Sequence, residues 1–175
     1  MQISVRRMVD ADVERVLGIA GGLPLAPQWT AEAYRTALNA KAAVSRIALV
    51  AEVVPELGEA SGKSLEGEVS IPKPRPENES IVGFVVASLL APEAELETIG
   101  VVDNMQRRGM ARLLMATLEA ELRCQRVTEV LLEVRVSNQA ALALYDALGF
   151  AESAVRPRYY ADPVEDALLM RRALG

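Results

Sequence analysis

Residues 106–112, Gln-Arg-Arg-Gly-Met-Ala-Arg, set three arginines around one glycine directly after the β-prone run Thr98-Ile99-Gly100-Val101-Val102. A strand that feeds a helix through a glycine-containing turn is suited to holding an anion. The first N–H groups of the helix lack intrahelical acceptors, and the helix dipole adds partial positive charge at the same end. Gly109 lets the backbone approach the anion closely, while Arg107, Arg108 and Arg112 bring full charges nearby. The chain has no histidine, so any general base is a carboxylate, a tyrosine, a cysteine, a lysine or a relayed water. One cysteine, Cys124, excludes an internal disulfide, and without histidine a metal site is not expected.

The elements that must carry these residues are legible from spacing. Glu95 to Val102 reads as a strand and Met110 onward as a helix whose inward face holds Ala111, Leu114, Met115, Leu118 and Leu122. Upstream, Ile3 to Arg7 alternates as a short edge strand. Asp10 is placed as the cap of a helix bearing Val13, Val16, Leu17 and Ala20, which Gly21-Gly22 stops. Thr30 caps a second helix with Ala33, Tyr34, Ala37 and Leu38 on one face, and Trp29 precedes it. Ile47 to Val53 and Ile81 to Leu89 read as strands paired with each other. Between them, residues 54–80 carry four prolines, three glycines and many charges; this composition predicts a mobile insertion. Thr128 to Arg135 reads as a central strand. Asn138 caps a helix with Ala141, Leu144, Tyr145 and Leu148 inward and Gly149 at its end. A strand beginning at Phe150 follows, then a turn over Arg156-Pro157-Arg158-Tyr159-Tyr160, and Asp166 to Arg171 closes the sheet.

The 175 residues suffice for one domain spanning 1–175 with a substantial core. No apolar run is long enough to span a bilayer, and the N-terminus lacks the order of a secretory signal. A soluble cytoplasmic protein is the expectation. The net charge of −5 argues against general nucleic-acid binding and suits a partner with a positive terminus.

Gln106-x-x-Gly109-x-Ala111 resembles the (Gln/Arg)-x-x-Gly-x-(Gly/Ala) pyrophosphate-arm signature of the GNAT superfamily of N-acetyltransferases. Asn138-x-x-Ala141-x-x-x-Tyr145-x-x-x-Gly149-Phe150 resembles a second signature of that family, at the usual distance after the first. From Glu95 onward the chain is similar to the RimI type, bacterial enzymes that acetylate the N-terminal alanine of a small-subunit ribosomal protein. The resemblance implies a mixed α/β GNAT fold: a twisted, mostly antiparallel sheet of six to seven strands, flanked by helices and splayed between its two central strands. It implies acetyl-CoA as co-substrate and no metal. The coenzyme would lie along Ile99, Gly100, Val101, Gln106, Arg107, Arg108, Gly109, Met110, Ala111, Arg112, Asn138 and Tyr145.

It further implies Glu133 as the base and Tyr145 as the acid that protonates the departing sulfur, both where the central strands and the following helix converge. Glu95 is the rival base, since it occupies the position that supplies the glutamate in histone-acetylating relatives. Glu97 is placed on the other side of the same strand or on a bulge. Trp29, Glu97, Tyr159 and Tyr160 are the candidates for contact with the acceptor. The implied partner is a protein N-terminus, such as that of a ribosomal protein, bound by a monomer or homodimer without nucleic acid or membrane. A small-molecule amine as acceptor, and a non-catalytic acyl-CoA-binding module, are the competing readings.

Overall fold

The computed structural model describes residues 2–54 and 80–175; the insertion expected over 54–80 lies almost wholly outside these described residues. Seven strands form one sheet: β1 (Gln2–Arg7), β2 (Arg46–Val54), β3 (Ile81–Leu90), β4 (Glu93–Val101), β5 (Glu129–Arg135), β6 (Ala151–Ala161) and β7 (Val164–Ala173). Their order is β1-β2-β3-β4-β5-β7-β6. Neighbours run antiparallel except β4 and β5, which are parallel. Four helices accompany them: α1 (Val13–Gly21), α2 (Ala31–Leu38), α3 (Met110–Cys124) and α4 (Gln139–Ala147).

Period-two burial of apolar residues gives each strand two faces, and each face has its own core. One core joins Leu114, Met115, Leu118 and Leu122 of α3 and Tyr145 of α4 to Leu49, Val85, Leu96, Val130, Leu132 and Val134. The other joins Val13 and Val16 of α1 and Tyr34 and Ala37 of α2 to Val50, Phe84 and Val86. The strands therefore form a central layer between two helical layers, as the apolar stripes predict.

Local details follow side-chain chemistry. Thr30 accepts a hydrogen bond from the Ala33 N–H at the start of α2, and Asn138 accepts one from Ala141 at the start of α4. Gly149, at φ 82°, ends α4. The cap expected at Asp10 is instead organised by Asp12. Its carboxylate accepts the Val9 N–H at 2.9 Å and is forked by Arg6 at 2.7 and 3.0 Å, whereas Asp10 pairs with Arg35 across to α2. The turn expected over Arg156–Tyr160 is not a turn. These residues belong to β6, where a bulge sets Arg156 opposite Ala167 and Tyr160 opposite Glu165, and Arg158 takes a left-handed φ of 53°. Nor does the last strand close the sheet: β7 is inserted between β5 and β6, leaving β6 as the edge.

The site is positioned by how β4 and β5 part. Their ladder is short, pairing Glu93–Leu96 with Glu129–Leu132. Beyond Leu96, β4 stays on β3 through Val101 while β5 turns with β7 through Arg135. The sheet thus opens into a wedge at its centre.

Candidate active site

Along the open edge of β4 the backbone is exposed to the wedge in a fixed pattern. The Val102 N–H donates to Val82 on β3 at 2.9 Å. Strand alternation then turns the N–H groups of Ile99 and Val101 the other way, toward the gap that β5 has left. Just beyond, the chain passes through a single 3₁₀ turn at Asp103–Met105 and the segment 106–109 into α3. Arg107 at φ 60° and Gly109 at φ 84° both adopt left-handed backbone. No side chain caps the N-terminus of α3, so its first N–H groups are open for an anion. A Cβ placed on Gly109 would meet no atom within 4 Å. The glycine is thus not squeezed by the protein; the free space lies where a ligand would approach.

These features border one cavity of about 730 Å³. Its walls are Leu23–Ala26 from the loop between α1 and α2, Ile99–Val101 of β4, the turn and first residues of α3, and Ala140, Ala141, Ala143, Leu144 and Ala147 of α4. Of the expected coenzyme contacts, Ile99, Gly100, Val101, Gln106, Arg107, Gly109, Met110, Ala111, Arg112 and Asn138 line it, whereas Arg108 and Tyr145 do not. Gln106 is partly spent on structure: its amide nitrogen donates to the Val101 carbonyl and to Asp103, each at 3.0 Å, tying the turn to the end of β4. The close fit of Leu23 against β4 escapes sequence reasoning. A Cβ on Gly100 would stand 2.8 Å from Leu23 Cδ1 and 2.6 Å from Phe84 Cε1.

A cluster of charges adjoins the cavity along the same strand. Glu95 and Glu97 on β4, Glu133 on β5, Arg156 and Tyr159 on the β6 bulge, Tyr160 beside them and Arg46 on β2 interact on the side of the sheet that faces α1 and α2. Glu97 does sit on a bulge, the extra residue between the pairs Val86–Thr98 and Ala87–Leu96. It is held there by the Arg46 guanidinium at 2.7 and 3.0 Å, so it joins Glu95 on one side. Arg46 in turn lines a shallower cavity with Trp29, Thr30 and Glu32. Trp29 itself packs on Tyr34, ring centroids 5.2 Å apart.

Glu133 pairs with Arg156 at 2.6 Å. Its carboxylate is the main reason that the Tyr159 phenol is held above its ordinary value. Glu95 makes no direct ion pair among the described residues. Burial, then the negative charges of Glu133 and Glu97, raise its pKa, with Arg156 and Arg46 pulling the other way. Tyr145 is buried in the α3–α4 core, 5.6 Å from Phe150, and desolvation holds it protonated well above the usual phenol range. Tyr160 links the two sets, since it senses the charge of Glu133 and also influences Tyr145. The structure therefore brings Glu133, Glu95, Glu97, Tyr159 and Tyr160 together, while Tyr145 belongs to the core on the α3–α4 side of the sheet. Neither Glu133 nor Tyr145 belongs to the wall of the large cavity. Among the described residues, no group of three or more acidic or cysteine side chains is arranged to hold a metal ion. No helix of the described residues is long and apolar enough to cross a membrane.

Comparison with known proteins places this geometry. The family model described as acetyltransferase (GNAT) matches residues 60–150. A [ribosomal protein bS18]-alanine N-acetyltransferase of Salmonella typhimurium is 41% identical over 95 residues, covering 53% of this chain and 64% of that protein. The match thus spans less than two thirds of that relative's length. The crystal structure of the ribosomal-protein-S18-alanine N-acetyltransferase from Escherichia coli superposes with a TM-score of 0.70 at 25% identity, over 99% of this chain and 95% of that one. Arabidopsis thaliana NAA60 in complex with acetyl-CoA reaches a TM-score of 0.76 over 98% of both chains at 18% identity, a likeness of fold.

Proposed function

From the premise that the chain belongs to the acetyltransferase (GNAT) family, we propose that it moves an acetyl group from acetyl-CoA to the N-terminal α-amino group of a protein. Carrying this reading is the wedge between β4 and β5, with Ile99 and Val101 N–H groups on one side and the uncapped, glycine-led N-terminus of α3 at its end. The residues present fit the coenzyme: backbone donors and Arg107 and Arg112 for its diphosphate, and a long apolar wall of Leu23, Ala141 and Leu144 for its arm. When bound, acetyl-CoA supplies an activated thioester. The chain's own residues hold its carbonyl with preorganised main-chain donors and manage two protons.

An α-ammonium has a pKa near ~8, so a carboxylate acting directly or through water removes its proton at neutral pH more readily than it would a lysine's, near ~10.4. Glu133 takes this role and Tyr145, kept protonated by burial, delivers a proton to the departing sulfur. A specific observation favours a second assignment of the base: Glu133 is tied to Arg156 at 2.6 Å, whereas Glu95 is free of a direct cation contact among the described residues and has the raised affinity for protons that a base requires. Relatives named for ribosomal protein bS18 direct attention to peptides that begin with alanine as acceptors, and a cytoplasmic compartment is part of the same proposal.

The test is release of free thiol from acetyl-CoA in the presence of peptides starting with Ala, Ser or Met and, separately, of small amines. Turnover with peptides supports the reading, turnover with small amines alone redirects the acceptor, and coenzyme binding without turnover refutes it. Glu133→Gln and Tyr145→Phe are expected to lower kcat by ~10²-fold or more with little change in coenzyme affinity. Full activity in both variants together with its loss in Glu95→Gln assigns the base to Glu95.

A further inference from the structure

Arg135 ends β5, two residues beyond Glu133, and its guanidinium is committed to one neighbourhood. Nη1 donates to the Glu165 carboxylate at 3.2 Å and to the Pro163 carbonyl at 3.3 Å, and Nη2 donates to the Asp162 carbonyl at 3.0 Å. The plane of the same group lies 4.0 Å over the centre of the Tyr160 ring. Every partner belongs to the tip of the β6–β7 hairpin. Side-chain exposure is 13% for Arg135 and 11% for Glu165, so their ion pair is largely withdrawn from solvent competition, whereas the bonds to the Asp162 and Pro163 carbonyls lie at the exposed turn. Glu165 extends the chain of contacts: its other oxygen accepts the Ser137 N–H at 2.5 Å, and Ser137 directly precedes Asn138, the cap of α4. The ring it presses on is no bystander. Tyr160 stands edge-on to Tyr159 at 5.1 Å between centroids, and Tyr159 is the phenol on which the Glu133 carboxylate acts.

We infer that Arg135 is a positioning residue for the acceptor: one guanidinium, by fork and by stacking, fixes the hairpin tip and with it the Tyr159–Tyr160 wall that faces Glu133. This rests on the acetyl-transfer reading above. The acceptor's first residues would lie between this wall and the loop before α2. A hairpin tip has little core of its own, and without its anchor it samples many placements. Each of them lowers the fraction of molecules ready to receive a peptide and so weakens apparent acceptor affinity. The coenzyme side needs no such effect, because Glu165 can keep the Ser137 N–H without Arg135.

Lysine retains the charge but has neither a planar fork nor a face to stack, so the two ways of reading Arg135 separate. In the full chain, Arg135→Gln and Arg135→Lys should each raise the KM for an Ala-initiated peptide about tenfold, leaving acetyl-CoA affinity within about twofold. Amide hydrogen exchange over residues 159–165 should accelerate by a similar factor in both, a readout that requires no acceptor. Preserved coenzyme binding certifies the fold, and if the Gln variant loses it the Lys variant decides alone. Wild-type KM with unchanged exchange at 159–165, or full rescue by Lys, overturns the inference. Should the wild-type chain acetylate no amine, the transfer reading falls, and the exchange measurement still decides whether Arg135 fixes the hairpin.

Discussion

Gly109 is the position at which an anion-binding turn and an ordinary helix entry make different demands. Its φ of 84° disfavours any other residue, and its missing Cβ points into space with no atom within 4 Å. For Gly109→Ala, the left-handed conformation costs roughly 1–2 kcal/mol. The narrower unfolded ensemble of alanine returns about 0.4–1 kcal/mol of that. The net loss is about 1 kcal/mol, and a chain of this length should lose about 2–4 °C in Tm. An ordinary helix entry stops there. A phosphate cradle suffers more, because the methyl group occupies the side from which the diphosphate approaches the N–H groups of α3. Each charge-assisted hydrogen bond so displaced is worth about 1.5–3 kcal/mol. Loss of even one corresponds to a roughly 10- to 100-fold weaker Kd. Titration calorimetry with acetyl-CoA and thermal unfolding of the same samples read the two quantities separately. Gly109→Val should give a larger fall in affinity. A Tm loss of the size given, with an unchanged Kd in both variants, would refute the assignment of the turn as the diphosphate site.

Four further outcomes are expected. If Glu95 is the base, the acid limb of kcat/KM lies above the ordinary carboxylate range, and Arg156→Ala, which removes a cation that lowers the Glu95 pKa, moves that limb to higher pH; a move to lower pH is the opposing result. Because the folded-state pKa of Glu95 lies above 4.5, the folded chain holds this proton more tightly, so its contribution to stability is present at low pH and is lost as pH rises through the folded value; Glu95→Gln should flatten that part of a stability–pH profile. Tyr34 is fully buried with a hydroxyl that has no bonding partner among the described residues, and the nearby Thr98 hydroxyl, likewise without one among them, only partly offsets the burial that pushes the phenol up to about 12. Tyr34→Phe should therefore stabilise the fold by about 1 kcal/mol in urea titrations and remove a loss of stability that wild type shows as pH rises from 10 toward 12. Gly100→Ala puts a methyl 2.6 Å from Phe84 and 2.8 Å from Leu23. It should cost roughly 1–3 kcal/mol and, by displacing Leu23 in the cavity wall, weaken acetyl-CoA binding about tenfold; unchanged affinity would show that Leu23 does not set the width of the wedge.

The elements that follow local periodicity were readable before the structure. Leu114, Met115, Leu118 and Leu122 do face the sheet, and Thr30, Asn138 and Gly149 do delimit their helices. That Ile99 to Val101 and the turn into α3 would border one cavity was readable for the same reason, since these parts lie close together in sequence. What escaped was whatever depends on partners far apart in sequence. Asp10 and Asp12 are equivalent as caps until Arg6 and Arg35 choose between them. The stretch Arg156–Tyr160 has the composition of a turn, yet Asp166 accepts the Arg158 N–H at 2.7 Å and pairing with β7 keeps the stretch in a bulged strand.

The proposed acceptor half of the site is built almost entirely from such distant pairs: Arg46 with Glu97, Arg156 with Glu133, Arg135 with Glu165. The two halves therefore answer differently to substitution. Main-chain donors at Ile99, Val101 and the start of α3 persist through most side-chain exchanges, so a short signature suffices to recognise the donor site. Guanidinium–carboxylate pairs are re-formed or lost with single substitutions, and each change alters which carboxylate is free and where the tyrosine wall stands. Chains that share the 106–111 pattern can on this account keep one coenzyme while differing in the amine they accept. For this chain, Arg156 sets the two candidate bases apart: it pairs with Glu133 at 2.6 Å, while Glu95 is left with its proton affinity raised, and the Glu133→Gln and Glu95→Gln variants distinguish their roles.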